Sequence, residues 1–548
     1  MLLKLTTSNP NVYYLVLATL SSIQMPEIRD PIHSDIFLDD SEIAVIDTPE
    51  FQRLRWLAEL PTARFVYPGA THSRFSHCVG VMMLANTIYR NLKRADGRQF
   101  KPNANLLKHL RVAALLHDID TPPYYPIFLD HYLVKDYLMA IKRECVRSIC
   151  KGVNNESDDE DEKIDPDIVL SILEGRDEFK YLSQIIDCEV GANRLDYLMR
   201  DAYYCGVNYG RLDPRILYQF YFDSEQIVLK KEALPLVDTV FNAMFQMKIN
   251  VYDHRIARLA ARMLYIAVDE GIKKRSHRIP DLLRMTDEEF LREVGKADVE
   301  SVERIRRRTF PKTAFILDAV SLRDMELIPR YFESFRQSKE VIERELKSIT
   351  NSESVVVDFV SLKQPPATPI KAQVNSTQIV LSEVPLLSKW YERQPFEQWK
   401  MFVFCDAIDL RAVHDACEKI LGPLEIGRES EERKVIEPLR DLYAQLDGRV
   451  SSDRVHSSMK EKILDLPRHE LSTLRALVAM GPSTAVDTSK HTQRERSTAS
   501  LILNRLVEYG FVEKERLGKR VFFKPTSATI SAIRELGTTP LLKPVVKV

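Results

Sequence analysis

Apolar positions recur at helical spacing through residues 26–150 and 165–345, in runs of roughly 10 to 20 residues. Two of these runs, FSHCVGVMMLANTIY and LLKHLRVAALLHDI, lie about forty residues apart. The first opens just after Arg74 and carries His77; the second closes on the adjacent pair His117-Asp118. After Ile349 the texture changes. SVVVDFVSL and TQIVLSEV alternate as strands do, KQPPATP between them reads as a loop, and KMFVFCDA reads as a third strand before a helix over Asp409–Leu421. The last segment places a helix at His469–Met480 and, after GPSTAVDTSKHT, a longer one at Gln493–Tyr509 with Leu501, Leu503, Leu506 and Val507 as its buried positions. EYGFVEKERLGKRVFFKP then reads as strand, tight turn at Leu517-Gly518, strand. The pattern predicts a mainly α protein: a helical core over 26–348, a small α+β lobe with a linker helix over 349–460, and a winged helix-turn-helix over 465–536.

Composition narrows the class. With 548 residues, 45% of them hydrophobic and 29% charged, the chain reads as a soluble globular protein of several domains. Seven scattered cysteines without a C-x-x-C pair suit a reducing cytoplasm and exclude a zinc ribbon. No apolar run reaches the ~18 residues of a membrane span. VYYLVLATLSSI (residues 12–23) has only Lys4 before it and no small-residue cleavage site after it. Residues 1–25 are therefore expected to be an extra element, or to precede a start at Met25. NNESDDEDEK (154–163) reads as a solvated acidic loop.

Charge is uneven. The whole chain is at −1, but residues 465–536 hold twelve Lys/Arg against eight Asp/Glu, a net of +4. A basic wing with Lys519 and Arg520 fits phosphate contacts to double-stranded DNA, while the presumed recognition helix carries few base-reading side chains beyond Gln493, Arg494, Arg496 and Asn504. Winged helices also serve as docking modules, so both readings stay open here.

A histidine followed on a second helix by a His-Asp pair supplies neutral nitrogen and carboxylate ligands for one divalent cation. The dipeptide alone is a weak signal and favours the plainer reading of three ordinary polar residues on core helices. Arg194, Tyr197 and Asp201 fall at i, i+3 and i+7, and Lys248, Tyr252 and Arg255 at i, i+4 and i+7, so each trio is predicted to share a helix face.

Longer motifs add to this. DPIH (Asp30–His33), DTPEFQRLR (Asp47–Arg55), YPGATHSRFSH (Tyr67–His77), ALLHDI, ANRLDYLMRDAYYCGV and MKINVYDHRIARLAARML occur in one order across residues 26–270. In that order they resemble the HD-domain deoxynucleoside triphosphate triphosphohydrolases, which include bacterial dGTPases and the vertebrate SAM-and-HD-domain enzyme. The resemblance implies an HD-domain helical core, a cytoplasmic homo-oligomer, and a divalent ion (Mn, Mg, Fe or Zn) on His77, His117, Asp118 and Asn193. It implies a nucleotide held by Glu59, Leu60, Arg74, Arg194, Tyr197, Asp201, Lys248 and Tyr252. Arg74 and Asp118 would act in catalysis. Asp47, Gln52 and Arg55 match a regulatory guanine-nucleotide site, although Arg29 replaces an asparagine of that site. The C-terminal segment resembles a MarR-type winged helix.

The departures bear on activity. Asn193 stands where the family has a ligand aspartate and so withholds one formal charge from the cation. Thr121 and Pro126 occupy the places of two histidines, one of them the family's proton donor, and neither residue shuttles protons at neutral pH. Asp130 and His131 lie close by in sequence, and His131 is the candidate substitute. Glu59 replaces a glutamine that checks the sugar 3′-hydroxyl. Two functions follow: a metal-dependent nucleotide phosphohydrolase with an altered centre, or a nucleotide-sensing regulator of weak or no turnover acting through its winged helix.

Overall fold

The computed structural model describes residues 27–421 and 468–530, apart from 95–99, 129–133, 157–162, 224, 275, 319–320, 322–338, 340–341, 361–367, 376, 393–398, 481–482, 493–495, 509–510, 518–519 and 527–528. The chain divides into two compact units, residues 1–428 and 429–548.

In the first unit a hairpin, β1 (Glu27–Asp30) with β2 (Ser34–Phe37), leads into α1 (Asp40–Ile46). Asp39 caps α1 through a reciprocal box with Glu42, satisfying two of the free amides of the first turn. α2 (Arg74–Asn91) and α3 (Ala104–Leu116, capped by Asn103) pack side by side, and α7 (Ala192–Cys205) lies against α2. Around them stand α4 (Val134–Glu156), α5 (Pro166–Leu173), α6 (Lys180–Ile186), α8 (Leu234–Met247) and α9 (Arg255–Lys273). α5 starts where Asp165 caps and Pro166 supplies a preset first turn; α7 stops at Gly206, whose φ of +68° is one that glycine tolerates. Gly80 on α2 is required by proximity: a β-carbon there would sit 2.0 Å from Asp196 Oδ1 and 2.4 Å from an Arg200 guanidinium nitrogen.

The strands distribute differently from the expected lobe. β3 (Lys93–Arg94), β4 (Phe220–Asp223), β5 (Gln226–Leu229), β8 (Lys371–Val374) and β9 (Thr377–Val380) form one five-stranded sheet in that order. The hairpin β8–β9 from the supposed lobe therefore extends a sheet begun by the core, with β5 and β8 parallel. A second sheet, ordered β6 (Lys312–Asp318), β10 (Lys400–Cys405), β7 (Val356–Phe359), draws its first strand from the segment read as helical. β10 is buried on both faces: Phe402 and Phe404 join the main core, while Met401, Val403 and Cys405 pack with Val413, Ala416 and Cys417, on α10 (Leu410–Ile420). Residues on both sides of position 348 thus share sheets and core, so the boundary expected there is absent. All seven cysteines are free.

The second unit holds α11 (Arg468–Met480), α12 (Ala485–Thr492), α13 (Arg496–Glu508) and the hairpin β11 (Val512–Leu517) with β12 (Arg520–Pro525). Leu474, Leu477, Ile502, Leu503, Leu506, Phe511, Val512 and Phe523 form its core. α12 lies in the stretch read as a connection. The signal for it was local: Thr484 and Asp487 cap it reciprocally, with Thr484 Oγ1 donating to Asp487 at 2.7 Å. Ser483 pairs with Phe523 in both backbone directions, adding a short third edge to the hairpin. Three helices and a wing make a winged helix. Among the described residues no helix is long and apolar enough to cross a membrane.

Candidate functional site

Helix packing brings His77 from α2 against His117 and Asp118 at the end of α3. Their ligand atoms lie within 4.8 Å of one another, and the two imidazoles meet edge to face at 5.2 Å. His117 Nδ1–H donates to the Ala114 carbonyl at 2.8 Å, which leaves Nε2 as a lone pair. That Nε2 is buried without a hydrogen-bond partner, with Asp118 Oδ1 3.7 Å away. Burial pulls the His117 pKa down to about 4, so the ring is neutral at pH 7.

His77 is held from behind. Its Nδ1 donates to Asp196 Oδ2 at 2.8 Å, and its Nε2 faces Asn193 Oδ1 at 3.1 Å. Burial would lower the His77 pKa, but Glu59 and Asp196 outweigh it and push it up to about 9. Asp196 is fully buried and serves three partners: His77, His33 Nε2 at 2.6 Å and the Arg200 guanidinium at 2.8 and 2.9 Å. Arg200 also donates to Asp30 at 2.6 Å, and Asp30 caps the turn that presents His33. The DPIH motif thus braces the site from behind, through Asp196 and Arg200, rather than lining it.

Arg74 spans two carboxylates, Glu59 Oε1 and Asp118 Oδ2, each at 2.7 Å. Burial opposes ionisation of Asp118, but His117 and Arg74 hold its carboxyl well below the usual carboxylate range. Burial raises the Glu59 pKa against the pull of Arg74, and Glu59 Oε2 is buried without a partner. Lys142, from α4, closes the far side by donating to the His117 carbonyl at 2.5 Å and pairing with Asp120 at 3.1 Å.

A cleft of about 320 Å³ opens beside these groups. Of the residues expected to hold a nucleotide, Glu59, Leu60, Arg74, Tyr197, Asp201, Lys248 and Tyr252 line it. Asp201 accepts from Tyr252 Oη and from His72 Nε2, both at 2.7 Å, and His72 stacks on Tyr204. Lys248 pairs with Asp253 at 2.7 Å.

Other residues fall elsewhere. Arg194 is not among the lining residues; its guanidinium donates to the Glu189 carbonyl at 3.1 Å and to the hydroxyl of Tyr197, which does line the cleft. The expected helix through Lys248, Tyr252 and Arg255 is interrupted. A π-helical turn covers Lys248–Tyr252, His254 is extended and caps the next helix, and Arg255 opens that helix exposed to solvent. A π turn widens the spiral, which carries Lys248 and Tyr252 to the cleft while Arg255 leaves the shared face. Asp47 is exposed, Gln52 donates to the Ile46 carbonyl at 2.9 Å, and Arg55 donates to Gln52 and lies 3.5 Å over the Phe75 ring. These three form a surface group apart from the cleft lining. Thr121 is buried, and its carbonyl accepts from Arg53 at 2.8 Å; Pro126 lines the cleft. Asp130 and His131, like Arg494 and Lys519, lie outside the described residues. Arg496 opens α13 and Arg520 opens β12.

Sequence reasoning gave no role to His33, His72, Lys142 or Asp196. Three of the four sit inside the quoted motifs, and that position was their signal; Lys142 carried none.

The donor set fits a divalent cation. Two nitrogens and a carboxylate converge, one nitrogen is buried with a bare lone pair, and a carboxylate fixes the tautomer of the other histidine. The 3.1 Å between His77 Nε2 and Asn193 Oδ1 is the spacing of neighbouring ligand atoms around an ion about 2.0–2.2 Å from each.

The architecture and this cluster define an HD-domain protein. Residues 74–201 match the HD domain, 213–432 the HD associated region and 461–529 the sugar-specific transcriptional regulator TrmB family. The chain thus carries an HD domain with its associated region and a C-terminal winged helix. It is 29% identical over 439 residues to an uncharacterized protein of Methanocaldococcus jannaschii, covering 78% of this chain and 89% of that one. It is 31% identical to the uncharacterized YwfO of Bacillus subtilis, covering 43% of this chain and 53% of that protein. It is 28% identical to the deoxynucleoside triphosphate triphosphohydrolase SAMHD1 homolog of Dictyostelium discoideum, covering 44% and 49%. The chain spans about half the length of these last two relatives. A crystal structure of a hypothetical protein from Aquifex aeolicus shares the fold, with a TM-score of 0.55 at 24% identity, over 72% of this chain and 99% of that one.

Proposed function

We propose that the protein is a metal-dependent nucleotide phosphohydrolase acting on deoxynucleoside triphosphates or close relatives, releasing triphosphate from the nucleoside. The observation that carries this reading is the unpartnered His117 Nε2 within the His77–His117–Asp118 cluster, beside a cleft lined by Arg74 and Lys248. His77, His117 and Asp118 would hold the ion, with Asn193 contributing an uncharged oxygen. Bound there, a divalent cation would polarise a phosphoryl oxygen and lower the pKa of water.

The chain's own residues do the rest. Arg74 and Lys248 bring positive charge to the phosphates, where it counts most in the reacting state. Arg74 is shared between Glu59 and Asp118, so a phosphate reaching its guanidinium competes with two carboxylates already held there. Tyr197 offers a ring face to the sugar, and Asp201, oriented by Tyr252 and His72, accepts from a sugar hydroxyl. The Asp196–Arg200 network keeps His77 from turning.

The test is triphosphate release from each deoxynucleoside triphosphate in turn, with metal content measured on the same sample. Release that depends on the bound ion supports the reading; a metal-loaded protein that cleaves none of them refutes it.

The match to a transcriptional-regulator family and the loss of one charged ligand favour a second reading: a nucleotide-sensing protein that binds DNA through its winged helix. Saturable nucleotide binding that changes DNA affinity, without turnover, would establish it.

A further inference from the structure

The cleft contains few groups free to release a proton. Tyr252 Oη donates to Asp201, Lys248 is paired with Asp253, and Glu59 and Arg74 are paired with each other, while the Tyr197 hydroxyl accepts from Arg194 and its ring is the one offered to the sugar. Thr121 and Pro126 bear no titratable proton. Tyr125 differs. It lines the cleft with Arg74, is half-buried, and its phenol makes no hydrogen bond among the described residues.

The backbone puts it there at a cost. Tyr124 has φ +49°, a left-handed conformation that a bulky aromatic residue rarely adopts. Its ring stacks on Phe290 at 5.6 Å and its amide donates to Asp287 at 3.4 Å, and a tight turn over Tyr125–Ile127 follows. Packing on Tyr124 therefore holds a strained residue whose consequence is to turn the next side chain into the cleft. Strain of this kind gathers at functional sites because surrounding structure must sustain it.

We propose that Tyr125 is the proton donor to the leaving oxygen of the substrate, taking the role that Thr121 and Pro126 do not fill. The proposal rests on the phosphohydrolase reading. Water oxygen bonds to phosphorus and the bond from phosphorus to the leaving oxygen breaks. The phenolic proton passes to that oxygen, and the proton lost by the water returns to the phenolate through solvent. Burial and the nearby Asp118 raise the Tyr125 pKa, so the phenol is protonated before the step.

The test compares wild type and Tyr125→Phe on a deoxynucleoside triphosphate and on its analogue with sulfur at the bridging 5′ position. Thiolate leaves without a proton, so the analogue bypasses the acid. The expected result is a fall in kcat of about 100-fold or more on the oxygen substrate, with the sulfur substrate changed only a few-fold. Equal losses on both substrates, or no loss on either, overturn the assignment of Tyr125 while leaving the hydrolase reading intact. A metal-loaded wild type that cleaves neither substrate overturns the hydrolase reading and the Tyr125 role with it. Thermal unfolding of both proteins separates a loss of chemistry from a loss of fold.

Discussion

His77 Nδ1 lies 2.8 Å from Asp196 Oδ2, and this pair fixes which nitrogen of His77 faces the site. Asp196 carries the charge of Arg200 at the same time, so one carboxylate both orients a ligand and neutralises a buried cation. Asp196→Asn keeps the shape but removes the charge. Divalent-metal affinity, followed by calorimetry, should fall about 10- to 100-fold. Stability should fall by roughly 3–5 kcal/mol, as for a buried pair left with one partner. Unchanged metal affinity in the folded variant would show that Asp196 serves the Arg200 network alone.

Asn193 presents a neutral oxygen 3.1 Å from His77 Nε2. Asn193→Asp restores a charged ligand at the same place, and occupancy after purification should rise, with affinity improving by about an order of magnitude. Elemental analysis of the two proteins decides the matter. Wild type already at full occupancy, with no gain in the variant, would mean that the charge at this position is dispensable.

His109 gives a stability profile with a definite sign. Its Nδ1–H donates to the Asn105 carbonyl at 2.8 Å and its Nε2 accepts from the Asp165 amide at 2.9 Å, an arrangement that requires the neutral ring. Burial lowers its pKa from the ordinary 6.5. The unfolded chain therefore binds the proton more readily, and this contribution is present above pH 6.5 and lost as pH falls towards the folded value. His109→Gln should be less stable than wild type at pH 7.5, and its stability should decline less between pH 7 and pH 5. Parallel declines in urea unfolding across that window would count against the role of His109.

The winged helix should account for any affinity for duplex DNA. Lys519→Glu with Arg520→Glu should weaken binding to all sequences alike, because backbone phosphates rather than base edges are engaged. Binding by wild type should weaken steeply with added salt through counterion release. Full-strength DNA binding by a chain lacking residues 465–548 would place the interface elsewhere.

The periodicity of the chain by itself placed most of its helices, though neither α12 nor the strand β6, because apolar spacing reports which face must be buried wherever that face lands. Arg194, Tyr197 and Asp201 did fall on one helix, and the two expected wing strands paired, with Leu517 opposite Arg520. Ordered motifs named His77, His117 and Asp118 as one group. Tertiary structure decided what spacing along a chain does not encode. Arg194 stands behind the cleft lining, donating to the Glu189 carbonyl and to Tyr197, because the neighbours that packing supplies take up its guanidinium. The π turn at Lys248–Tyr252 and the extended His254 after it put Arg255 in a separate helix, off the face that ideal helical spacing had given it. β8 joined β5 across some 140 residues of sequence, dissolving the expected boundary at 348, since strand pairing depends on which edges meet in space. The bracing of His77 by Asp196, His33 and Arg200 was settled the same way. Buried polar groups take partners from whichever elements pack against them, and only the folded chain brings residues 33, 77, 196 and 200 together.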